Sequence, residues 1–277
     1  MALIVAALGS YLIYVWPHLQ RRIIGAPLGD TPHILMEHQD RVYHYSLRMP
    51  TPDNPQNSIG SFSQRLGFLD TFYTVDSSFR LDRDHGIPQL MALNTWGIDS
   101  TLRVDMRLEI DDRWRPVGVS GNLRFARTII DIIGSFSHHG LDGEIILSDQ
   151  NRRPFHLQDV GGTHALAFHP ALALPTDLAV GDRFSLPILQ ATATPPFVTS
   201  SSYLFVVDSQ ESLPTAAGPM PCLRVEVFHH GERMLSLWAD QQGVIYRLGN
   251  DHALMHARLE RITNQAGDPL WPPQELP

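Results

Sequence analysis

The stretch Leu102-Arg-Val-Asp-Met-Arg-Leu-Glu-Ile110 alternates without a break: Leu102, Val104, Met106, Leu108 and Ile110 are apolar, and Arg103, Asp105, Arg107 and Glu109 carry charge. Side chains two residues apart share one face of a strand, so this is a strand with one face on a core and one in water, the habit of antiparallel sheets. The outward charges alternate in sign, which predicts cross-strand partners rather than a binding patch. Working outward, Asp111 and Asp112 mark a turn, and Val117–Phe125 reads as the return strand, with Gly118 and Gly121 permitting a bulge or a close approach. Thr128–Phe136, apolar and β-branched around Gly134, and Leu141–Leu147 extend the meander. Upstream, Val42–Leu47 is the first expected strand, ended by Pro50-Thr-Pro-Asp-Asn-Pro55, because proline supplies no ladder donor. Turn spacing predicts about six strands in this half.

Strands resume at Tyr203–Val207, Leu223–Phe228, Met234–Ala239, Val244–Leu248 and Leu254–Arg261. Asp240-Gln-Gln-Gly243 is expected to be a four-residue hairpin loop whose glycine takes positive φ. Between the halves, from Arg152 to Pro196, Gly161-Gly162 and Pro154, Pro170, Pro175, Pro187, Pro195 and Pro196 indicate a crossing segment, with a short helix expected around Ala165–Leu174. The predicted class is mainly β: curved antiparallel sheets of half-barrel or sandwich type, with one N-terminal transmembrane helix. The expected divisions are an anchor at 1–22, a stalk at 23–40, a first β section at 41–160, the crossing segment at 161–200, a second β section at 201–264 and a surface tail at 265–277.

The anchor rests on Ala2–Trp16, an uncharged apolar run that Pro17, His18 and Leu19 prolong towards Arg21 and Arg22. That length suffices for one tilted span, and Tyr14 and Trp16 lie near one end, where amphipathic rings favour the headgroup region. Ala6, Ala7, Gly9 and Ser10 are small enough to let a neighbouring helix approach closely. A cleaved signal peptide would need a basic start and a small-residue cleavage site, and neither is present. Arg21 and Arg22 after the span favour a cytoplasmic body, whereas long domains translocate regardless of modest charge bias, so the orientation stays open at this point.

A formal net charge of −8 and the lack of a basic stripe exclude nucleic acid from the expected partners. All 21 basic residues are arginine, so neither a Schiff base nor a lysine general base is available. Cys222 is the sole cysteine, which rules out an intramolecular disulfide and a cysteine zinc cluster. The 14 histidines include His252-x3-His256, His164-x4-His169 and the pairs His138-His139 and His229-His230, and none forms the helical H-E-x-x-H pattern. On a strand, His252 and His256 would stand about 13 Å apart, too far for one ion. Gly118-Val-Ser-Gly121 falls short of a nucleophile elbow because Asn occupies position 122, and Asp159-Val-Gly-Gly-Thr163 reads as a turn. No catalytic residue, metal ligand or cofactor is therefore assigned, and the chain is expected not to be an enzyme.

Val180-Gly-Asp-Arg-Phe-Ser-Leu-Pro187, Leu223-Arg-Val-Glu-Val227 and Leu237-Trp-Ala-Asp-Gln-Gln-Gly-Val-Ile-Tyr-Arg247 together set a cadence. Over residues 178–261 the chain resembles β-rich bacterial envelope domains of the lipoprotein-localisation half-barrel type, including uncharacterised domains found ahead of transglutaminase-like modules. Their recurring Trp-x-Asp-x-x-Gly hairpin corresponds to Trp238, Asp240 and Gly243 here. The resemblance implies a curved sheet with an apolar concave face, an inner-membrane address and a periplasmic body. It implies two roles: an accessory subunit docking on a larger membrane assembly, respiratory or photosynthetic for example, which is the expected function because a carrier must leave the membrane with its cargo and this chain is tethered, and, as the alternative, a binder of lipid or acylated ligands. The expected partners are accordingly the bilayer, other membrane-protein subunits and a lipid ligand.

Overall fold

The computed structural model describes residues 14–15, 39–49, 57–69, 72–82, 101–111, 116–125, 128–137, 139–158, 166–167, 174, 178–191, 198–249 and 256–272. In chain order the strands are β1 (Tyr14–Val15), β2 (Val42–Arg48), β3 (Ser58–Leu69), β4 (Phe72–Leu81), β5 (Leu102–Ile110) and β6 (Pro116–Phe125). They continue with β7 (Thr128–Ser137), β8 (Gly140–Leu147), β9 (Arg152–Gln158), β10 (Leu166–Ala167), β11 (Arg183–Ala191) and β12 (Val198–Thr215). The last are β13 (Gly218–His229), β14 (Glu232–Ala239), β15 (Ile245–Gly249), β16 (His256–Thr263) and β17 (Pro269–Trp271).

Fifteen of these strands form one antiparallel sheet, ordered β11-β12-β13-β14-β15-β16-β2-β3-β4-β5-β6-β7-β8-β9, with β17 on β16. The chain is mainly β, as expected, but the two β sections are one sheet: β16 pairs with β2, setting Thr263 opposite Val42 and His256 opposite Arg48. The sheet is not closed into a barrel. β9 and β11 end the hydrogen-bonded path, although β9 comes within 8 Å of β12 between Cα atoms. Each edge strand carries a proline, Pro154 in β9 and Pro187 in β11, and β9 adds Arg152 and Arg153. Proline and charge are what discourage a further strand from adding to an open edge.

Register shifts fall mostly in the C-terminal half, at Val207/Ser209, Val227/Phe228, Trp238/Ala239 and Leu259/Arg261, while β3–β4, β4–β5, β6–β7, β7–β8 and β8–β9 pair regularly. Extra residues on one strand bend it and sharpen its local twist. The inner faces then share one core in which Tyr43, Leu47, Phe62, Phe79, Leu102, Leu108, Phe205, Val225, Leu237 and Leu259 are all buried.

In β5 the decisive alternation holds: Leu102, Val104, Leu108 and Ile110 are buried and Met106 packs against the same cluster. Its outward charges find partners across the ladder. Arg107 Nε and Nη2 donate to Asp76 at 2.6 and 3.2 Å, Arg65 Nη2 donates to the same carboxylate at 2.7 Å, and Ser78 Oγ donates to Asp105 at 2.7 Å.

Several segments differ from the sequence reading: Ser58–Leu69 and Phe72–Leu81, where no strand was expected, are β3 and β4, and Arg152–Gln158, at the start of the expected crossing from Arg152 to Pro196, is β9. Arg183–Ala191 and Val198–Ser200, inside the expected crossing segment, are strands, because Pro187 costs little on an edge whose N–H side needs no partner. Pro269–Trp271, inside the expected tail, adds to β16. The anchor of residues 1–22 lies outside the described residues apart from Tyr14–Val15, which pairs with Leu166–Ala167 of the expected 165–174 helix. No helix among the described residues is long and apolar enough to cross a membrane.

Candidate functional site

One row of inner-face residues crosses the sheet by direct register: Tyr43, Gln64, Ser77, Met106, Gly121, Ile132 and Ile145. Above and below it on β3, β4 and β5 stand Phe62 and Leu66, Val75 and Phe79, and Val104 and Leu108, all buried. Gln64, 1% exposed, and Ser77, 5% exposed, are therefore a polar pair set into an apolar wall. Gln64 Nε2 donates to Ser77 Oγ at 2.9 Å, and among the described residues no donor reaches Gln64 Oε1. Turning the amide over exchanges the atoms without satisfying both. A buried polar atom left so costs about 1–3 kcal/mol, so the site has a standing demand for a polar partner.

The row changes character along its length. Its β2–β4 part, Tyr43, Gln64 and Ser77, is buried, whereas on β6 and β7 the inner-facing Leu123, Ile130, Ile132 and Phe136 are only half-buried. At its centre the Met106 thioether occupies the space that a Cβ on Gly121 would fill, the two lying 1.9 Å apart. Methionine, unbranched and polarizable, adapts to irregular apolar shapes.

The hairpin residues of the sequence reading lie together but serve structure. Asp240 Oδ1 accepts from the backbone N–H of Gln242 and Val244, both at 2.9 Å, and Oδ2 accepts from the Tyr246 hydroxyl at 3.3 Å. Burial raises the Asp240 carboxyl above its ordinary value despite these donors. Gly243 closes the turn at φ +82°, and a Cβ there would lie 3.0 Å from the Leu174 carbonyl oxygen. Trp238 projects to the outer face, where Nε1 donates to Glu211 at 3.0 Å and the guanidiniums of Arg224 and Arg247 lie 5.5 and 4.6 Å from its ring. That hydrogen bond leads the causes holding the Glu211 carboxyl below its ordinary value. Tyr45, by contrast, points inward and ties β2 to β15 by donating to the Ile245 carbonyl at 2.8 Å.

Of the other motifs, His229 stacks on Tyr203 with ring centroids 4.4 Å apart and tilts against His230 at 4.0 Å. Cys222 is buried, and burial pushes its thiol up to about 12. Ala6, Ala7, Gly9, Ser10, Trp16, Arg21 and Arg22 lie outside the described residues, and of Tyr14 only the backbone pairing is described. Gln64 and Ser77 escaped the sequence reading, since nothing in Ser-Phe-Ser-Gln-Arg-Leu distinguishes an inward glutamine from an outward one.

His256 opens β16 opposite Arg48, and burial first, then the charges of Arg247, Arg48 and Arg258, lowers its pKa from 6.5 to about 4. A depressed folded-state pKa in a base stabilises the fold above the unfolded value and loses that contribution as pH falls towards the folded one. Because the ring is half-exposed, screening limits the loss to about 1–2 kcal/mol between pH 6.5 and 4. Chemical unfolding across that range is expected to show the loss in the native chain and not in His256→Gln.

No family model matches this chain, and no curated protein matches it. Among solved structures, a beta-barrel-like protein of domain of unknown function DUF1849 from Brucella abortus is similar at 10% identity and a TM-score of 0.46, over 81% of this chain and 97% of that one. A DUF1089 family protein from Pseudomonas aeruginosa is similar at 15% identity and a TM-score of 0.34, over 67% of this chain and 87% of that one.

Proposed function

We propose that the chain is a non-enzymatic envelope protein whose inner sheet face binds a lipid or other acylated molecule, with Gln64 and Ser77 as its polar anchor. The observation that carries this reading is the buried Gln64 amide, one atom of which has no hydrogen-bond partner among the described residues, in a mainly aliphatic and aromatic face. Ligand sites are largely apolar with a few placed polar groups, and a buried amide contributes most when a ligand donor or acceptor completes it. The half-buried side chains of β6 and β7 mark where an apolar chain gains contact area. In this reading the apolar run at the N-terminus holds the protein at the inner membrane, with the body in the periplasm.

Titration of the full chain with a fluorescent polyene fatty acid tests the assignment. Saturable binding is expected, weakened about tenfold in Gln64→Leu, the size of one lost hydrogen bond. Ser61→Ala, on the exposed outer side of the same strand, is expected to leave affinity unchanged. Equal affinity in Gln64→Leu and the native chain would refute the anchor.

A second reading, docking onto a larger membrane assembly, is favoured by the outer face of β7, where Ile129 and Ile133 are 42% and 55% exposed. Co-migration with a large complex after mild detergent extraction is its signature.

A further inference from the structure

We propose that the outer face of the sheet carries an arginine ladder, centred on Arg80, Arg103 and Arg124, that binds a linear acidic polysaccharide lying across the strands. The inference stands on the outer face alone and does not depend on a ligand at Gln64.

Direct register builds the ladder. Arg80 of β4 stands opposite Arg103 of β5, and Arg103 stands opposite Arg124 of β6. In the other direction the same row passes from Arg80 through Ser61 and Ser46 to Arg258 and Arg247, and it ends on Trp238 and Arg224. Its nine positions hold six of the chain's 21 arginines and no carboxylate. The six are dispersed along the sequence between Arg80 and Arg258, so the stripe exists only across the strands.

The fold itself gains nothing from this placement, because like charges directly opposite one another weaken a ladder. β5 shows the contrast within one strand: Arg107 faces Asp76 across the ladder, whereas Arg103 faces an arginine on each side. The three central guanidiniums are nevertheless held in place. Arg80 Nε donates to Asp82 at 2.7 Å, Arg103 Nε to Asp105 at 2.6 Å and Arg124 Nε to Asn122 at 2.6 Å, each acceptor lying two residues away on the same stretch of chain. Among the described residues no acceptor reaches the Nη groups of these three. Arg80 and Arg103 are 61% and 55% exposed, and Arg124 is exposed as well. A guanidinium fixed at Nε with its terminal nitrogens left to solvent is a fork for carboxylate or phosphate. Adjacent strands lie about 4.8 Å apart, so a chain crossing them meets such a fork on each strand.

The surroundings of the row select its partner. The neighbouring row, Ser78-Asp105-Asn122-Asp131, is acidic, so an anionic bilayer or a broad acidic protein face would meet those carboxylates together with the arginines. A single polymer chain follows the arginines alone. The flanking Asp82, Asp105 and Asn122 side chains are also acceptors for hydroxyl groups, which a glycan carries along its length and a polyphosphate lacks. Nucleic-acid bases gain most of their non-specific contact by stacking on exposed rings, and the one ring in the row, Trp238, is 4% exposed.

Fluorescence anisotropy of an end-labelled polyuronate oligosaccharide, titrated with the full chain in a neutral detergent, tests the assignment. Saturable binding that weakens as salt rises is expected, with no competition from neutral dextran. Arg103→Gln is expected to lower affinity about fivefold, the worth of one exposed ion pair at the upper end of its range, and the triple variant Arg80→Gln, Arg103→Gln, Arg124→Gln to abolish binding. The denaturant midpoint of Arg103→Gln is expected to hold or rise, since two like-charge pairs are removed, which separates lost binding from lost folding. Arg152→Gln is the control: Arg152 is 64% exposed and paired with Glu144 on β9, outside the row, and its removal should leave affinity unchanged. Equal affinity in Arg103→Gln and Arg152→Gln, or no binding by the native chain, overturns the proposal. Tighter binding of polyphosphate or oligothymidylate than of polyuronate at equal charge overturns the glycan assignment, and so does retention on phosphatidylglycerol vesicles without polyuronate binding, which would assign the row to a membrane surface.

Discussion

A valine at Gly60 is expected to abolish folding of the chain, and even alanine there is expected to cost about 3 kcal/mol or more. Gly60 faces inward in β3 between Leu47 and Leu81, and an ideal Cβ would sit 2.0 Å from the Arg80 carbonyl oxygen and 3.0 Å from the Arg80 carbonyl carbon and Leu81 Cα. All three atoms are backbone, so no rotamer change relieves the clash; β3 and β4 must separate. That separation would break the ladder that sets Gln64 against Ser77. Gly218→Ala is the informative control: its φ is +104°, with nothing within 4 Å of a Cβ, so it should show only a backbone cost of about 1 kcal/mol. Denaturant midpoints of the three variants, with soluble yield for Gly60→Val, check the ordering.

Trp238→Ala is expected to destabilise the protein by about 3–5 kcal/mol, the range for a buried aromatic removed without replacement. Trp238 is 4% exposed. Its removal withdraws the surface under the Arg224 and Arg247 guanidiniums and the donor to Glu211. Arg224 would keep its hydrogen bond to Glu226 at 2.6 Å, so the outer network should be loosened rather than dispersed. Trp238→Phe keeps the ring face and loses the N–H, and about 1 kcal/mol is expected. A Glu211 titration moving back towards the ordinary carboxylate range in both variants would confirm the hydrogen bond as the leading cause of its depression.

How far the sequence could be read depended on what faced inward. β5 was legible because its inward positions are all apolar and its outward ones all charged. The Asp240–Gly243 turn was legible because an aspartate that accepts two backbone N–H groups and a glycine at positive φ have few substitutes. β3 and β4 were not, and the reason is chemical. Their inward positions include Gly60 and Gln64 on one strand and Ser77 on the other, which breaks the period-two signal where the two strands meet. The residues that make the candidate site thus concealed the strands that hold it.

Edge strands were obscured for a different reason. β9 and β11 contain Pro154 and Pro187, and proline ordinarily counts against a strand. Both are found where an open edge tolerates a missing donor, which becomes visible only once strand order is known. The joining of the two halves through β16 and β2 was likewise beyond reading from local pattern, because Val42 and Thr263 meet across nearly the whole chain.

The proposed ligand of the inner face is an acylated molecule held at Gln64 and Ser77. Native mass spectrometry of the full chain, extracted in mild detergent, addresses it without presupposing which molecule that is. One acyl-containing adduct per chain is expected, greatly reduced in Gln64→Leu. A folded native chain appearing only at its bare mass, with no acylated species recovered on solvent extraction, would contradict it.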